Sequence, residues 1–232
     1  MTIHYTALDT KVAARSSGNL SDHSNALDRS PSFYCAIGKR CLDLALIFLA
    51  LPMVVPLVAM LALFVMRDGA NPFYCQMRLG RKGKVYKIWK LRTMVSDAEA
   101  LLEAHLASDP QARAEWNHTQ KLKHDPRITH FGMFLRKTSL DELPQLWNVA
   151  KGDMSLVGPR PMMLNQRVLY PGKVYETLRP GITGPWQVSA RNNSSFAERA
   201  NFDTDYHARV SLMTDLRLLL ATIRVVLRGT GY

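Results

Sequence analysis

The strongest constraint on the fold is an uncharged apolar stretch that runs for 23 residues from Leu44 to Met66. As a straight helix it would measure about 34 Å, which is enough to cross the ~30 Å hydrocarbon core of a bilayer. Pro52 and Pro56 lie near its middle on one helical face. Each proline removes a backbone hydrogen bond and clashes with the preceding turn. The stretch therefore predicts a membrane helix that bends sharply at its centre.

Basic residues flank this stretch on both sides. Lys39 and Arg40 precede it, and the basic residues that follow are Arg67, Arg78, Arg81, Lys82 and Lys84. Because positive charge keeps a flank on the cytoplasmic side, we expect residues 32–69 to form a kinked re-entrant membrane helix that enters and leaves one membrane face. An ordinary spanning helix and the buried helix of a soluble protein are the alternatives. Asp43 follows the two basic residues at helical spacing, so we expect it to pair with them near the lipid headgroups.

Outside the apolar stretch, the chain divides into a polar tail and a longer mixed segment. Residues 1–31 are rich in Ser, Asp and Asn with no apolar period, which predicts a disordered tail. For residues 70–232 we expect a small cytoplasmic α/β (α+β) catalytic domain with amphipathic helices at the membrane interface. The predicted strands are Phe73–Leu79, Val85–Lys90, Met154–Val157 and Trp186–Val188. Four helices are predicted: one that begins at Ser96, one that begins at Asp109, one that follows Asp141, and one from Ser211 to Arg228.

The net charge of +11 indicates the kind of partner. The charges of residues 1–38 cancel, so the whole excess lies from Lys39 onward. A basic body suits nucleic acid, an anionic membrane surface or phosphorylated substrates, but nucleic-acid binding leaves the apolar stretch unexplained. Cys35, Cys41 and Cys75 lack the spacing of a metal site, so we expect reduced thiols in a cytosolic compartment. The scattered histidines make no zinc site.

Two adjacent carboxylates, Asp141 and Glu142, stand just before Pro144 and an apolar run. Proline fits best in the first turn of a helix, where N–H groups lack partners, so the pair is expected at or near a helix N-terminus. The helix dipole there favours an ionised carboxylate, which can bind a magnesium ion or attack phosphorus. The alternative is a capping box in which Ser139 and Glu142 only begin an ordinary helix.

Four basic side chains are candidates for contacts with phosphate or a nucleotide. Arg160 lies between two prolines in the segment Gly158–Pro161, so it loses little freedom when it is aimed at a diphosphate. A plain turn with an exposed arginine is the alternative. Lys90 and Arg92 are either phosphate contacts or a solvated basic edge. Arg191, beside two asparagines, either offers polar groups to a nucleotide or sugar or belongs to an ordinary turn.

Several sequence blocks occur in order along the chain. They are Lys39-Arg40-x-x-Asp43, Pro56, Lys90–Met94 (KLRTM), Leu135–Leu146 (LRKTSLDELPQL), Gly152–Pro161 (GDMSLVGPRP) and Arg179–Gly184 (RPGITG). With these blocks the chain resembles the bacterial sugar transferases, which are monotopic phosphoglycosyl transferases, from Lys39 to Tyr232. The helical insert at 96–124 and the end at 228–232 are most similar to the branch that begins succinoglycan-type exopolysaccharide assembly with galactose 1-phosphate.

The resemblance implies a reaction and a role for individual residues. It implies transfer of hexose 1-phosphate, galactose or glucose, from a UDP-sugar to undecaprenyl phosphate at the cytoplasmic face of the bacterial inner membrane. Asp141 would be the nucleophile, Glu142 would assist, and Mg²⁺ at Asp141 would offset the diphosphate charge. Arg136 would hold the acceptor phosphate, and Arg160 would lie on the nucleotide side. Val55 is a departure, because many members have serine before the helix-breaking proline, and it leaves the bend angle open.

Two other functions remain as alternatives. One is the same chemistry with a UDP-N-acetylhexosamine donor. The other is a non-catalytic, basic membrane-binding scaffold in which Asp141 and Glu142 only cap a helix. The rigid setting of Arg160 favours the enzyme, because a helix cap does not require it.

Overall fold

The apolar stretch forms one long helix in the computed structural model, which describes residues 33–119, 122–189 and 196–227. A π-helical turn, Tyr34–Gly38, leads into α1 (Lys39–Val65), which continues through Pro52 and Pro56. Among the described residues, one helix, Tyr34–Val65, is long and apolar enough to cross a membrane. The predicted tail at residues 1–31 lies outside the described residues.

Two small sheets make up the β structure. The antiparallel ribbon of β1 (Phe73–Leu79) and β2 (Val85–Leu91) has Leu79 opposite Val85, and it confirms the predicted hairpin. The parallel pair of β3 (Ser155–Val157) and β4 (Gly181–Thr183) confirms the predicted strand before Gly158. The fold is therefore mixed α/β, as expected, but it is mostly helical.

Eight further helices surround these sheets in the described part of the chain. They are α2 (Ala98–Ser108), α3 (Pro110–Thr119), α4 (His130–Thr138), α5 (Gln145–Lys151), α6 (Val174–Thr177), α7 (Pro185–Ser189), α8 (Arg199–Arg209) and α9 (Leu212–Leu227). The strand predicted at Trp186–Val188 is wrong, because these residues belong to α7. Pro185 opens that helix, and the fixed φ of proline suits a first helical position.

Both ends of α1 pack against the rest of the protein, whereas its middle does not. Near the first end, Ile47 joins a core cluster formed by Tyr86, Ile88, Val149 and Met154. At the second end, Leu61, Ala62 and Val65 pack with Leu91 and Leu135. Between these ends, Phe48 and Leu49 are each 78% exposed and Met53 is 72% exposed. The helix is therefore not the buried core helix of the soluble alternative.

Asp43 anchors α1 to the body of the protein and does not pair with its neighbours. Its carboxylate is buried and accepts hydrogen bonds from Ser155 Oγ at 2.8 Å and from the backbone N–H of Leu156 at 3.0 Å. The prediction that Asp43 pairs with Lys39 and Arg40 is wrong. Lys39 instead contacts Asp215, with 2.6 Å between Nζ and Oδ2, and Arg40 donates to two backbone carbonyls near the end of α5.

Candidate active site

A single turn between two helices carries the carboxylate pair. The helix α4 ends at Ser139, whose φ of +57° places it in the left-handed region, and one 3₁₀ turn, Leu140–Glu142, follows. Pro144 then stands at the N-cap of α5, which confirms that the pair lies next to a helix start. The alternative, a capping box of Ser139 and Glu142, is not formed, because the Ser139 side chain makes no capping hydrogen bond.

Lys90 meets both carboxylates from the end of β2. Its Nζ lies 2.7 Å from Glu142 Oε1 and 3.6 Å from Asp141 Oδ2. Glu142 therefore faces an ammonium group that is 52 residues away in the chain, and not the backbone of its own helix start. Lys90 thus places one positive charge close to two adjacent carboxylates.

Burial decides the protonation behaviour of Asp141, which is only 7% exposed. Burial raises the pKa of the Asp141 carboxyl above its ordinary value. The negative charge of Glu142 also raises this pKa, whereas Lys90 and Arg136 oppose the rise. This direction is opposite to the one expected from a helix start alone, because loss of water outweighs the nearby positive charges.

Arg136 occupies the other side of Asp141. Its Nε donates to Thr93 Oγ1 at 2.9 Å, and Thr93 is itself buried. Burial lowers the pKa of the Arg136 guanidinium, and the charge of Asp141 acts in the opposite sense. The fold thus brings together four of the predicted site residues, namely Lys90, Arg136, Asp141 and Glu142.

Close backbone packing holds Arg160 in place. A Cβ atom at Gly158 would collide with the carbonyl oxygen of Arg179, and one at Gly184 would collide with the carbonyl oxygen of Gly158. The two glycine-containing loops can approach so closely only because they lack these side chains. The guanidinium of Arg160, two residues after Gly158, lies 5.6 Å from the centroid of the Trp186 ring.

Two arginines that the sequence did not single out join Arg160. Arg199 lies 4.1 Å from the centroid of the same Trp186 ring, and Arg78 lies close enough to influence both guanidinium groups. Burial lowers the pKa of Arg199 to about 10, and the positive charges of Arg160 and Arg78 add to this effect. Nε of Arg78 and Nε of Arg199 are buried, and neither has a hydrogen-bond partner in the described structure.

We call Arg78, Arg160 and Arg199 the arginine cluster. Asp203 is the acid that opposes the charge of Arg199, whereas among the described residues tyrosines and no carboxylate oppose the lowering of the Arg78 pKa. The cluster thus carries excess positive charge with unused donors, which is the setting that binds a phosphate or diphosphate. Local sequence held no signal for Arg78 or Arg199, because one lies in a strand and the other in a helix far along the chain.

One cavity connects the carboxylate turn with the arginine cluster. It has a volume of about 280 Å³ and is lined by both Glu142 and Arg160. Most of its wall is apolar and includes Leu156 and Ile182, and Gln187 provides an amide group. A substrate that fills this cavity would contact Glu142 and the guanidinium of Arg160, and Asp141, the neighbour of Glu142, is not among the lining residues.

Comparison with known proteins places this site in a family. The family model described as bacterial sugar transferase matches residues 34–229. The chain belongs to the bacterial sugar transferase family. The UDP-galactose-lipid carrier transferase of Erwinia amylovora is 45% identical over 219 residues, which cover 94% of this chain and 44% of that protein.

Two further relatives of this sugar transferase extend the comparison. The undecaprenyl-phosphate galactose phosphotransferase of Salmonella typhimurium is 45% identical over 210 residues, which cover 90% of this chain and 43% of that protein. The exopolysaccharide production protein ExoY of Sinorhizobium fredii is 42% identical over 198 residues, which cover 84% of this chain and 88% of that protein. The chain therefore spans less than half the length of the Erwinia and Salmonella relatives.

The two remaining predicted contacts are Arg92 and Arg191. Arg92 donates to the backbone carbonyls of Asn71 at 2.8 Å, Met94 at 3.1 Å and Val65 at 3.1 Å. These bonds tie the end of α1 to the end of β2, and a phosphate contact of Arg92 stays a prediction. Arg191 lies outside the described residues.

The carboxylate pair is also where this sugar transferase could hold magnesium. Within residues 33–119, 122–189 and 196–227, no group of three or more His, Cys, Asp or Glu side chains could hold a metal ion. Mg²⁺ is commonly bound through one or two carboxylates together with substrate phosphates. The carboxylate of Asp141, next to Glu142, therefore has the chemistry to hold a magnesium ion together with a bound diphosphate.

Proposed function

We propose that this sugar transferase moves hexose 1-phosphate from a UDP-sugar to undecaprenyl phosphate through a covalent aspartyl intermediate. The observation that carries the proposal is the buried carboxylate of Asp141, with Lys90 and Arg136 beside it, next to a cavity that Arg160 also lines. Two relatives are named for galactose transfer to a lipid carrier or to undecaprenyl phosphate, and they support galactose as the sugar.

The first half-reaction uses Asp141 as a nucleophile. A carboxylate oxygen of Asp141 attacks the phosphorus that carries the sugar, and the bond from this phosphorus to the bridging oxygen breaks. UMP leaves with the bonding electrons, and the phosphosugar stays on Asp141. Burial, which raises the pKa of this carboxyl, also makes its ionised form a stronger nucleophile. Lys90 and Arg136 keep that form accessible, and the arginine cluster holds the departing phosphate.

The second half-reaction returns Asp141 to its starting state. A phosphate oxygen of undecaprenyl phosphate attacks the phosphorus of the aspartyl intermediate, the bond to Asp141 breaks, and the lipid diphosphosugar is released. Arg136 is the proposed contact for the acceptor phosphate, because the charge of Asp141 acts on its guanidinium and Arg136 is not part of the arginine cluster. Glu142 assists by setting, together with Lys90, the charge next to the nucleophile.

Magnesium is part of the proposal, with Asp141 as its protein ligand. It would screen the repulsion between the carboxylate and the diphosphate. Chelation should stop turnover, and added Mg²⁺ should restore it. Full activity in excess chelator would contradict a role for the metal.

For the membrane, we propose that α1 enters and leaves the bilayer on the cytoplasmic face of the bacterial inner membrane. Support comes from the packing of both ends of α1 on one globular body, with an exposed apolar middle. Cysteines introduced as Ala36→Cys and Ala70→Cys, in a chain without its native cysteines, should be equally shielded from an impermeant thiol reagent in intact cells. Labelling of one and not the other would show a spanning helix.

The contacts of the two carboxylates argue against the scaffold alternative. Glu142 contacts Lys90 rather than a backbone N–H of its helix start, so the pair does not act as a helix cap. A scaffold would also have no need for two arginines on the ring of one tryptophan. A donor with an N-acetylhexosamine remains a test outcome for the sugar, to be decided with a panel of UDP-sugars.

The decisive experiment is isotope exchange without acceptor. Labelled UMP should exchange into UDP-galactose when purified protein and Mg²⁺ are present and undecaprenyl phosphate is absent. Asp141→Asn should abolish the exchange, because the neutral amide is a poor nucleophile. Glu142→Gln should slow it with the fold intact, and the matched control Asp97→Asn, at an exposed position on the protein surface, should leave it unchanged. If UMP appears only after lipid phosphate is added, transfer is direct and the nucleophile assignment is wrong.

A further inference from the structure

Gln187 is a buried amide without a hydrogen-bond partner. The residue is 7% exposed, and neither Nε2 nor Oε1 finds a donor or acceptor among the described residues. A buried polar group that lacks a partner is destabilising, and native structures contain only a few of them. Both ends of this amide are unpaired at once, so the side chain offers one donor and one acceptor side by side.

The fold holds this amide in a defined place. Gln187 belongs to α7, and the preceding residue, Trp186, lies beneath the guanidinium of Arg199. A Cβ atom added to Gly184 would come within 3.0 Å of Gln187 Oε1, so the loop before α7 closes tightly over the amide. Nε2 and Oε1 are also closed to solvent, so the amide turns toward the cavity when it pairs with a ligand.

Gln187 also lines the cavity that connects the carboxylate turn with the arginine cluster. The walls beside it are apolar and include Leu156, Ile182 and Leu219. The cavity thus combines a flat amide edge, apolar walls and, through Arg160, a positively charged end. These are the features that would bind a planar heterocycle attached to a phosphate.

We infer that Gln187 pairs with the N3–O4 edge of uracil in the donor nucleotide, an inference that rests on the proposed UDP-sugar donor. The amide oxygen accepts a hydrogen bond from N3–H of the base, and the amide N–H₂ donates to O4. Both unpaired atoms of Gln187 are satisfied by this single contact. The apolar walls then pack on the faces of the ring, and the arginine cluster holds the phosphates.

The alternative occupant of this cavity is the isoprenoid chain of the lipid acceptor. An isoprenoid chain would suit Leu156, Ile182 and Leu219, but it has no group that could hydrogen-bond to Gln187. It would also leave Arg160 facing hydrocarbon. The base of a nucleotide accounts for all of these features.

The amide of Gln187 can turn over to match the corresponding edge of cytosine, which has the donor and acceptor reversed. Gln187 therefore contributes affinity for a pyrimidine edge and does not by itself select uracil over cytosine. A methyl group on N3 blocks the edge in either orientation. This difference provides a probe that depends on the pairing and not on the overall shape of the nucleotide.

The test measures binding to the full chain in detergent with Mg²⁺, using UMP, 3-methyluridine 5′-monophosphate and ribose 5-phosphate. Wild-type protein should prefer UMP over the methylated nucleotide by about 5- to 150-fold, the equivalent of two net hydrogen bonds. Gln187→Leu should weaken UMP binding by the same factor and should bind UMP and its methylated form equally. Ribose 5-phosphate, which has no base, should bind equally well to both proteins.

Stability provides an independent readout on the same protein. Leucine has nearly the volume of glutamine and no polar atoms, so Gln187→Leu should unfold at the same temperature as wild type or higher. The control Gln111→Leu, at an exposed position on α3, should change neither nucleotide binding nor the preference for UMP.

Three outcomes would overturn the inference. The first is a Gln187→Leu protein that still prefers UMP over the methylated nucleotide. The second is a variant that loses thermal stability and loses ribose 5-phosphate binding as strongly as UMP binding, because Gln187 would then support the fold. The third is wild-type protein that does not bind UMP. The first two leave UMP exchange by the wild-type protein intact, and so distinguish a failure at Gln187 from a failure of the proposed function.

Discussion

Replacing Lys90 tests how the protein controls its nucleophile. The ammonium group lies 3.6 Å from Asp141 Oδ2 and 2.7 Å from Glu142 Oε1. Lys90→Met keeps most of the side-chain volume and removes the charge. Burial and the charge of Glu142 then act on Asp141 with only Arg136 to oppose them, so the pKa of the Asp141 carboxyl should rise further.

The size of this rise follows from the distance between the charges. At 3.6 Å, two unit charges interact by ~4.6 kcal/mol at an effective dielectric constant of about 20. The side chain of Lys90 is 24% exposed, so water screens part of this energy. A remaining interaction of about 1 to 2 kcal/mol corresponds to roughly one pKa unit.

The assay is the pH dependence of UMP exchange at saturating UDP-galactose. Asp141 must be ionised to attack, so exchange rises with pH on the acid limb, and this limb should move up by about one pH unit in Lys90→Met. Lys90→Arg should largely restore its position, because it restores the charge. Lys87→Met, an exposed lysine on the same strand, should leave the limb where it is in wild type. A lower rate with an unmoved acid limb would refute the reasoning, since Lys90 would then act on the substrate and not on Asp141.

Three further predictions concern the phosphate contacts, a buried acid and the membrane helix. Arg136→Ala should raise KM for undecaprenyl phosphate and Arg160→Ala should raise KM for the UDP-sugar, each by about 10- to 150-fold, the equivalent of a charge-assisted hydrogen bond; the opposite pattern would mean that the two subsites are exchanged. Burial raises the pKa of Asp203 to about 7 from an ordinary value of 3.8, so the folded state holds a proton that the unfolded state releases between these values. Stability should therefore fall as pH rises from about 4 to 7, by at most ~4 kcal/mol, and thermal unfolding of Asp203→Asn should lack this fall; a parallel pH dependence in the variant would contradict it. Replacing both Pro52 and Pro56 by Ala should favour a spanning helix, and unequal labelling of the cysteines at 36 and 70 would detect it, whereas labelling that stays equal would show that the prolines do not set the topology.

Local pattern was sufficient wherever the cause of a structure lies in neighbouring residues. The ribbon of β1 and β2 follows from two short apolar runs with a turn that contains Gly80 and Gly83, and the bounds of its strands match the prediction to within one residue. The last helix, expected from Ser211 to Arg228, is observed as Leu212–Leu227 because its apolar residues recur at the helical period. The length of α1 follows from the absence of charge between Leu44 and Met66.

The incorrect predictions share a different cause. Asp43 was expected to pair within its own helix, but its partner Ser155 is 112 residues away. For Glu142 the alternative was a cap on its own helix, but its partner Lys90 is 52 residues away. In both cases a nearby partner was available in the sequence, and burial against a distant element provided a stronger interaction for the carboxylate.

The sequence by itself determined the ribbon of β1 and β2, the last helix, the apolar helix and the residue types of the carboxylate pair, because these depend on spacing within a few turns of chain. Only the tertiary structure decided which charges surround Asp141, the direction in which burial shifts its pKa, and the arginine cluster around Trp186. It also decided that Gln187 faces a cavity with its amide unpaired. The physical reason is that burial and charge act through space, so they depend on which distant segments the fold brings together.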